Sequence, residues 1–61
     1  SDKLVRDIQA ALRVKGLDAG PVDGILGTAT RNAIKAFQRD LGLPQSGEPS
    51  PELLMLITRK P

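Results

Sequence analysis

Two aspartates, Asp18 and Asp23, and an arginine, Arg31, are the side chains whose types and spacing could do chemistry in this sequence. A pair of carboxylates can move a proton or hold a cation, and a guanidinium can meet an anionic ligand. The rest of the composition narrows that chemistry. The chain has no His and no Cys, which removes the commonest general base and any thiolate ligand or nucleophile. No Ser stands beside a plausible base. Acid–base work by Asp18 and Asp23 alone requires a deep pocket, and a chain of 61 residues can hardly build one. A calcium loop of the EF-hand type needs alternating acidic ligands and a distant bidentate Glu, and both are missing here. The expectation is therefore no catalytic residue, no metal and no cofactor. Asp23 has a simpler reading, in which its carboxylate bonds N–H groups of its own glycine-containing turn. Arg31, Lys35 and Arg39 fall on one helix face at steps of four, where a solvated face is the simpler account.

The stretch from Asp23 to Gln38 organises the elements around those residues. Gly24 and Gly27 offer backbone freedom for a sharp turn, and the Thr28 hydroxyl is placed to cap a helix that follows. Thr30, Ala33, Ile34, Phe37 and Leu41 then recur at spacings of three and four and span an arc of about 100°, the width of a core-facing stripe. Phe37, the only aromatic residue, lies mid-stripe and is expected in the core. This second helix is expected over 28–41, ending at Gly42. A first helix is expected over 3–14, with Asp2 as N-cap and Gly16 as the closing glycine. Leu4, Val5, Ile8, Ala11 and Leu12 form its apolar side. Ser50-Pro51 opens a third helix over 51–58, with Ser as cap and Pro at the first helical position. Leu53, Leu54 and Ile57 form its inner face, and Met55 points away. Arg59, Lys60 and Pro61 are expected to fray.

The connection from Leu17 to Gly27 is long for so small a domain, and long connections often carry function. Leu17, Val22, Ile25 and Leu26 include residues that pin it to the helices, and Val22 to Ile25 is a candidate extended segment. A weak repeat is present: Gln9-x-x-Leu12 and Gln38-x-x-Leu41 each precede a Gly-Leu pair and a turn-rich connection. Each Gln sits at the border of its apolar stripe, from where it can reach the loop backbone that follows. The fold class is thus all-α: one compact three-helix domain with an ordered Gly-rich loop between helices one and two.

Nine basic and seven acidic residues leave a net charge of +2, which a solvated surface explains. A basic three-helix chain raises the possibility of a DNA-binding helix-turn-helix. The connection from Gly42 to Ser50 is longer than such a turn, and Pro51 to Thr58 offers Leu, Met and Ile where base-reading side chains are needed. No nucleic-acid partner is expected. No apolar run reaches the roughly 18 residues that span a bilayer, so membrane insertion by this segment is not expected. The chain opens at Ser1 without a signal-peptide pattern, and it reads as a monomeric module of a longer protein.

The residues Asp23-Gly24-x-x-Gly27-x-x-Thr30-x-x-Ala33-Ile34-x-x-Phe37-Gln38 resemble the signature of the small three-helix peptidoglycan-binding domains of bacterial cell-wall proteins. Gln9-x-x-Leu12-x-x-x-Gly16 is similar to the family's first-helix segment. Leu41-Gly42-Leu43-Pro44 followed by Gly47 is similar to its second connection, so the resemblance covers roughly residues 4 to 57. It implies a non-catalytic domain that tethers a larger envelope protein to the wall, in the periplasm or outside the cell. It also implies peptidoglycan as partner, through glycan strand or stem peptide. The implied ligand surface is a groove between the Leu17–Leu26 loop and the start of helix two, with Asp18, Asp23, Gly24, Ile25, Leu26 and Arg31 as its candidate residues. Arg31 would meet stem-peptide carboxylates. Family members often carry aromatic side chains where this chain has Leu17 and Leu26, which favours peptide contacts over sugar stacking. The same fold also resembles prodomains that cover protease active sites. Those carry a Cys switch that is absent here, and a partner-binding or autoinhibitory module remains the alternative.

Overall fold

The computed structural model describes residues 2–59, and among them it contains three α-helices and no strand. They are α1 (Asp2–Val14), α2 (Thr28–Asp40) and α3 (Pro51–Thr58). The all-α architecture is as expected, with boundaries within a residue of those read from the sequence. Asp2 is the first helical residue rather than a cap; the position before it lies outside the described residues, as do Lys60 and Pro61. Arg59 is the extended C-cap of α3.

Both long helices end in the same way. Gly16 N–H donates to the Arg13 carbonyl at 2.9 Å, and Leu17 N–H donates to the Leu12 carbonyl at 2.9 Å. At the end of α2, Gly42 N–H donates to Arg39 at 3.0 Å and Leu43 N–H to Gln38 at 2.9 Å. This pair of bonds closes a helix when the residue past its cap is left-handed, and Gly16 and Gly42 have φ of 84° and 72°. α3 opens on Ser50, whose hydroxyl oxygen accepts the Leu53 N–H at 3.0 Å, with Pro51 following.

The core is made by Ile8 and Leu12 of α1, Ala33 and Ile34 of α2, and Leu53 and Ile57 of α3, joined by Ala19 from the first connection. α1 packs chiefly on α3. Leu17 and Leu26, partly buried, anchor the first connection to this cluster, whereas Val22 and Ile25 are exposed. Val22 to Gly24 bends rather than extends, and the N–H groups of Asp23 and Gly24 are taken by the Gln9 side chain instead of a neighbouring strand.

Two positions in the α2 stripe depart from expectation. Phe37 is half-buried and packs at the margin of the cluster, whose centre is filled by Ile8, Leu12, Ile34 and Ile57. Leu41 is 45% exposed, since it is the C-cap residue at the open end of the helix.

Ile34→Ala should therefore cost about 2–5 kcal/mol, the usual range for deleting a buried aliphatic side chain. That is a large share of the roughly 0.05–0.15 kcal/mol per residue on which small domains rely. Phe37→Ala should cost less than Ile34→Ala, despite removing the larger side chain. Urea denaturation of both variants checks this, and a greater loss at Phe37 would put the ring at the centre.

Candidate functional site

A single carboxamide shapes the first connection. Gln9, on the second turn of α1, is 1% exposed. Its Oε1 accepts the N–H of Asp23 at 3.1 Å and of Gly24 at 2.9 Å. Its Nε2 donates to the Ile25 carbonyl at 3.0 Å, to Thr30 Oγ1 at 3.0 Å and to Asp23 Oδ1 at 3.2 Å. Donors face the oxygen and acceptors face the nitrogen, so only one orientation of the amide satisfies the network. Thr30 extends it by donating its hydroxyl to the Ala19 carbonyl at 2.9 Å. Both limbs of the loop are thus tied to α1 and α2 through side chains that have no access to water, where an unmade bond is costly.

Gly24 is held where nothing larger fits. Its φ is 78°, and an added Cβ would lie 3.1 Å from the Asp2 carbonyl oxygen and 3.1 Å from Arg6 Cγ. Gly27 differs from the sequence reading. It has φ −99° and ψ −173°, ordinary extended backbone, and serves as the N-cap of α2 without a side-chain bond. Thr28 is consequently the first helical residue, and its hydroxyl caps nothing. Arg31 N–H is the first of the helix to find an acceptor, the Gly27 carbonyl at 3.0 Å. The N–H groups of Thr28, Ala29 and Thr30 have no acceptor among the described residues.

That uncapped helix end opens on a cleft of about 190 Å³ lined by Gln9, Ala19, Pro21, Asp23, Ile25 and residues 27–30. Its lining mixes small and apolar residues (Ala19, Pro21, Ile25, Gly27, Ala29) with the polar Gln9, Asp23, Thr28 and Thr30, and the start of α2 with its N-cap Gly27 supplies four of the nine. Asp18 is outside this lining; its Oδ1 accepts Gly20 N–H at 3.1 Å and shapes the loop before the cleft. Gly24 and Leu26 support the wall from beneath, one buried against α1 and one packed on the core. Arg31 lies on the other flank of α2, where its guanidinium meets Glu48 of the second connection at 3.2 Å. The structure thus brings Asp23 and Ile25 together in the cleft and sets Arg31 apart from it. Ala19, Pro21 and Ala29 were not singled out by sequence reasoning, since small side chains give no chemical signal, and Thr28 was read there as a helix cap rather than as part of a cleft. Thr30 could have been found, because a hydroxyl within an apolar stripe needs a buried partner.

Asp23 is surface-exposed, yet its carboxyl pKa lies below the ordinary 3.8. The Ile25 N–H, which donates to Oδ1 at 2.9 Å, is the main cause, and the Gln9 amide adds to it. The second connection is held in parallel fashion. Gln38 Oε1 accepts Gly47 N–H at 3.0 Å, and its Nε2 donates to Ser46 Oγ at 3.0 Å. Both glutamines thus fix the loop that follows their helix, as their position beside the apolar stripes predicts.

A family model for peptidoglycan binding domains matches residues 1–57. This chain belongs to the peptidoglycan-binding domain family. Among solved structures it is similar to SltB3 from Pseudomonas aeruginosa, determined in complex with NAG-anhNAM-pentapeptide. The two share 41% identity at a TM-score of 0.90, over 97% of this chain. The matching region makes up 16% of the SltB3 chain. No curated protein matches the sequence.

A pH dependence follows from Asp23. A carboxyl whose folded pKa is depressed stabilises the fold above its ordinary pKa, and the effect is lost as pH falls through the folded value. Asp23→Ala should therefore lower the Tm at pH 7. The difference from the parent protein should shrink as the pH is taken through and below the carboxylate range. Thermal melts between pH 7 and pH 2 measure it; a constant difference would show that the charge plays no part.

Proposed function

We propose that this protein is a non-catalytic module that binds peptidoglycan through the cleft at the start of α2 and holds a larger envelope protein to the wall. The observation that carries this reading is the uncapped end of α2, where the N–H groups of Thr28, Ala29 and Thr30 have no acceptor among the described residues and the same three residues line an open cleft, in a chain of the peptidoglycan-binding family. Free N–H groups and the positive end of the helix dipole favour an oxygen acceptor, above all a carboxylate. Stem peptides supply such groups, and the ligand in the similar SltB3 structure includes a pentapeptide. Asp23 suits an amide or ammonium of the same ligand, while Pro21 and Ile25 give it apolar contact. No aromatic side chain lines the cleft, which favours peptide over sugar-ring contacts. Asp18, Gly24 and Leu26 act in this reading by shaping the loop, and Arg31 is a second contact for a polymer that crosses α2. The two carboxylates of the loop are each engaged by N–H groups of their own turn, which suits scaffolding rather than proton transfer.

A wall-bound module implies a periplasmic or extracellular address. The SltB3 match, in which such a domain is a small part of a longer chain, supports a tethering role. A partner-docking role is the second reading, favoured by Met55, 70% exposed on the outer face of α3.

Co-sedimentation with purified, insoluble peptidoglycan tests the reading. The protein should pellet and release no muropeptides. Protein left wholly in the supernatant would favour the partner-docking role, and release of fragments would overturn the non-catalytic one. Thr28→Pro probes the cleft itself. Proline suits the first helical position, Gly27 before it is already extended, and the N–H it removes has no acceptor among the described residues. The variant should melt like the parent and bind the wall less; parental binding would rule out the Thr28 N–H as a contact.

Arg31→Ala breaks an exposed ion pair, so stability should change by no more than about 1 kcal/mol. Wall binding should nonetheless weaken, and binding by the parent should decline with added salt. Unchanged binding at low salt would remove Arg31 from the contact surface.

A further inference from the structure

We propose that the Asp23–Gly24 peptide unit is a site of aspartate isomerisation, and that the Gln9 carboxamide holds the reaction in check. The reaction needs no enzyme. The Gly24 amide nitrogen attacks the Asp23 Cγ, forming a C–N bond and a five-membered succinimide. The nitrogen gives up its proton, and a carboxyl oxygen leaves as water. Water then adds back at one of the two ring carbonyls. Opening at the former main-chain carbonyl leaves the chain running through the Asp23 side-chain carbon, an isoaspartyl linkage with no net change in mass. Glycine is the most permissive residue after an aspartate because it has no side chain to obstruct the ring.

This chain cannot avoid the pairing. Gly24 has φ of 78°, and a Cβ there would meet the Asp2 carbonyl oxygen at 3.1 Å, so a slower-reacting residue does not fit. Asp23 is equally committed, because its carboxylate closes the turn through Ile25 N–H. The sequence motif that builds the cleft wall is therefore chemically fragile.

The Gln9 network restrains both reacting groups. Gly24 N–H, the source of the nucleophile, donates to Gln9 Oε1 at 2.9 Å and is buried. The Asp23 carboxyl, the electrophile, accepts from Gln9 Nε2 at 3.2 Å and from Ile25 N–H at 2.9 Å. One amide thus grips the nitrogen with its oxygen and the carboxyl with its nitrogen. Ring closure requires these contacts to break. The same hydrogen bonds favour the ionised carboxylate, which lacks the neutral leaving group that cyclisation uses.

The product would be incompatible with the loop. An isoaspartyl linkage lengthens the main chain by one carbon and turns the Asp23 side chain into backbone. The Asx bond to Ile25 is lost, and so is the cleft wall that Asp23 and Ile25 form. The inference rests on the loop network alone and not on what the cleft binds.

Aged samples decide the question. The folded protein, Gln9→Ala, and a synthetic peptide of residues 20–28 are incubated at 37 °C and neutral pH. Isoaspartate at position 23 is then quantified by peptide mapping and by isoaspartyl methyltransferase labelling. The folded protein should isomerise at least about tenfold more slowly than the peptide, the ratio that a local opening free energy of 1.4 kcal/mol sets. Gln9→Ala, with its helicity checked by circular dichroism, should move at least threefold towards the peptide rate. Equal rates in folded protein and peptide would overturn the proposal, as would a folded Gln9→Ala that ages no faster than the parent. Amide exchange at Gly24 in the parent protein tests the same restraint without any substitution. At least tenfold protection is expected, and an unprotected amide would overturn the proposal.

Discussion

The buried amide of Gln9 is the interaction on which the first connection and the cleft beside it depend. The core of Ile8, Leu12, Ile34 and Ile57 holds Leu17, Ala19 and Leu26 of the connection between α1 and α2, but it does not set the Asp23–Gly24 turn among them. Gln9 does so by meeting Asp23, Gly24, Ile25 and Thr30 at once. A polar group placed so deep is favourable only while every partner is in position. That condition converts a flexible connection into a wall of fixed shape. Gly24 is the second constraint on the same wall, since it lets the loop press against the first turn of α1.

The deficit at the start of α2 is the counterpart of that rigidity. The chain spends its local hydrogen-bonding capacity on the loop and leaves Thr28, Ala29 and Thr30 without acceptors among the described residues. A Ser, Asp or Asn at position 27 would ordinarily fill this role. Glycine there forgoes a capping side chain and keeps the cleft open. α3 has the Ser50 cap that α2 lacks.

Much of this was legible in the sequence. Helix boundaries followed from apolar spacing and from Gly16, Gly42 and Ser50-Pro51, because those signals are local. Gln9 and Gln38 were recognisable as loop-fixing residues, since a polar side chain at the edge of an apolar stripe has few other partners. What stayed hidden depends on long-range geometry. The burial of Phe37 and Leu41 depends on how far the other helices extend along α2, which periodicity does not encode. Whether Gly27 or Thr28 becomes the cap is decided by a single ψ angle. Arg31 was grouped with the first loop by its place in the chain, but the helix turns it towards Glu48 on the second. The cleft itself is defined by residues too small to announce themselves.

The parallel clamping of the two connections has a consequence for how the domain can change. Gln9 anchors one loop and Gln38 the other, and none of the hydrogen bonds of one network is shared with the other. Energetic effects at sites without common partners tend to add rather than couple. The two loops are therefore separable design variables on a common helical frame. Descent with modification can redraw the edge that carries the cleft, residue by residue, while the opposite edge keeps the frame intact.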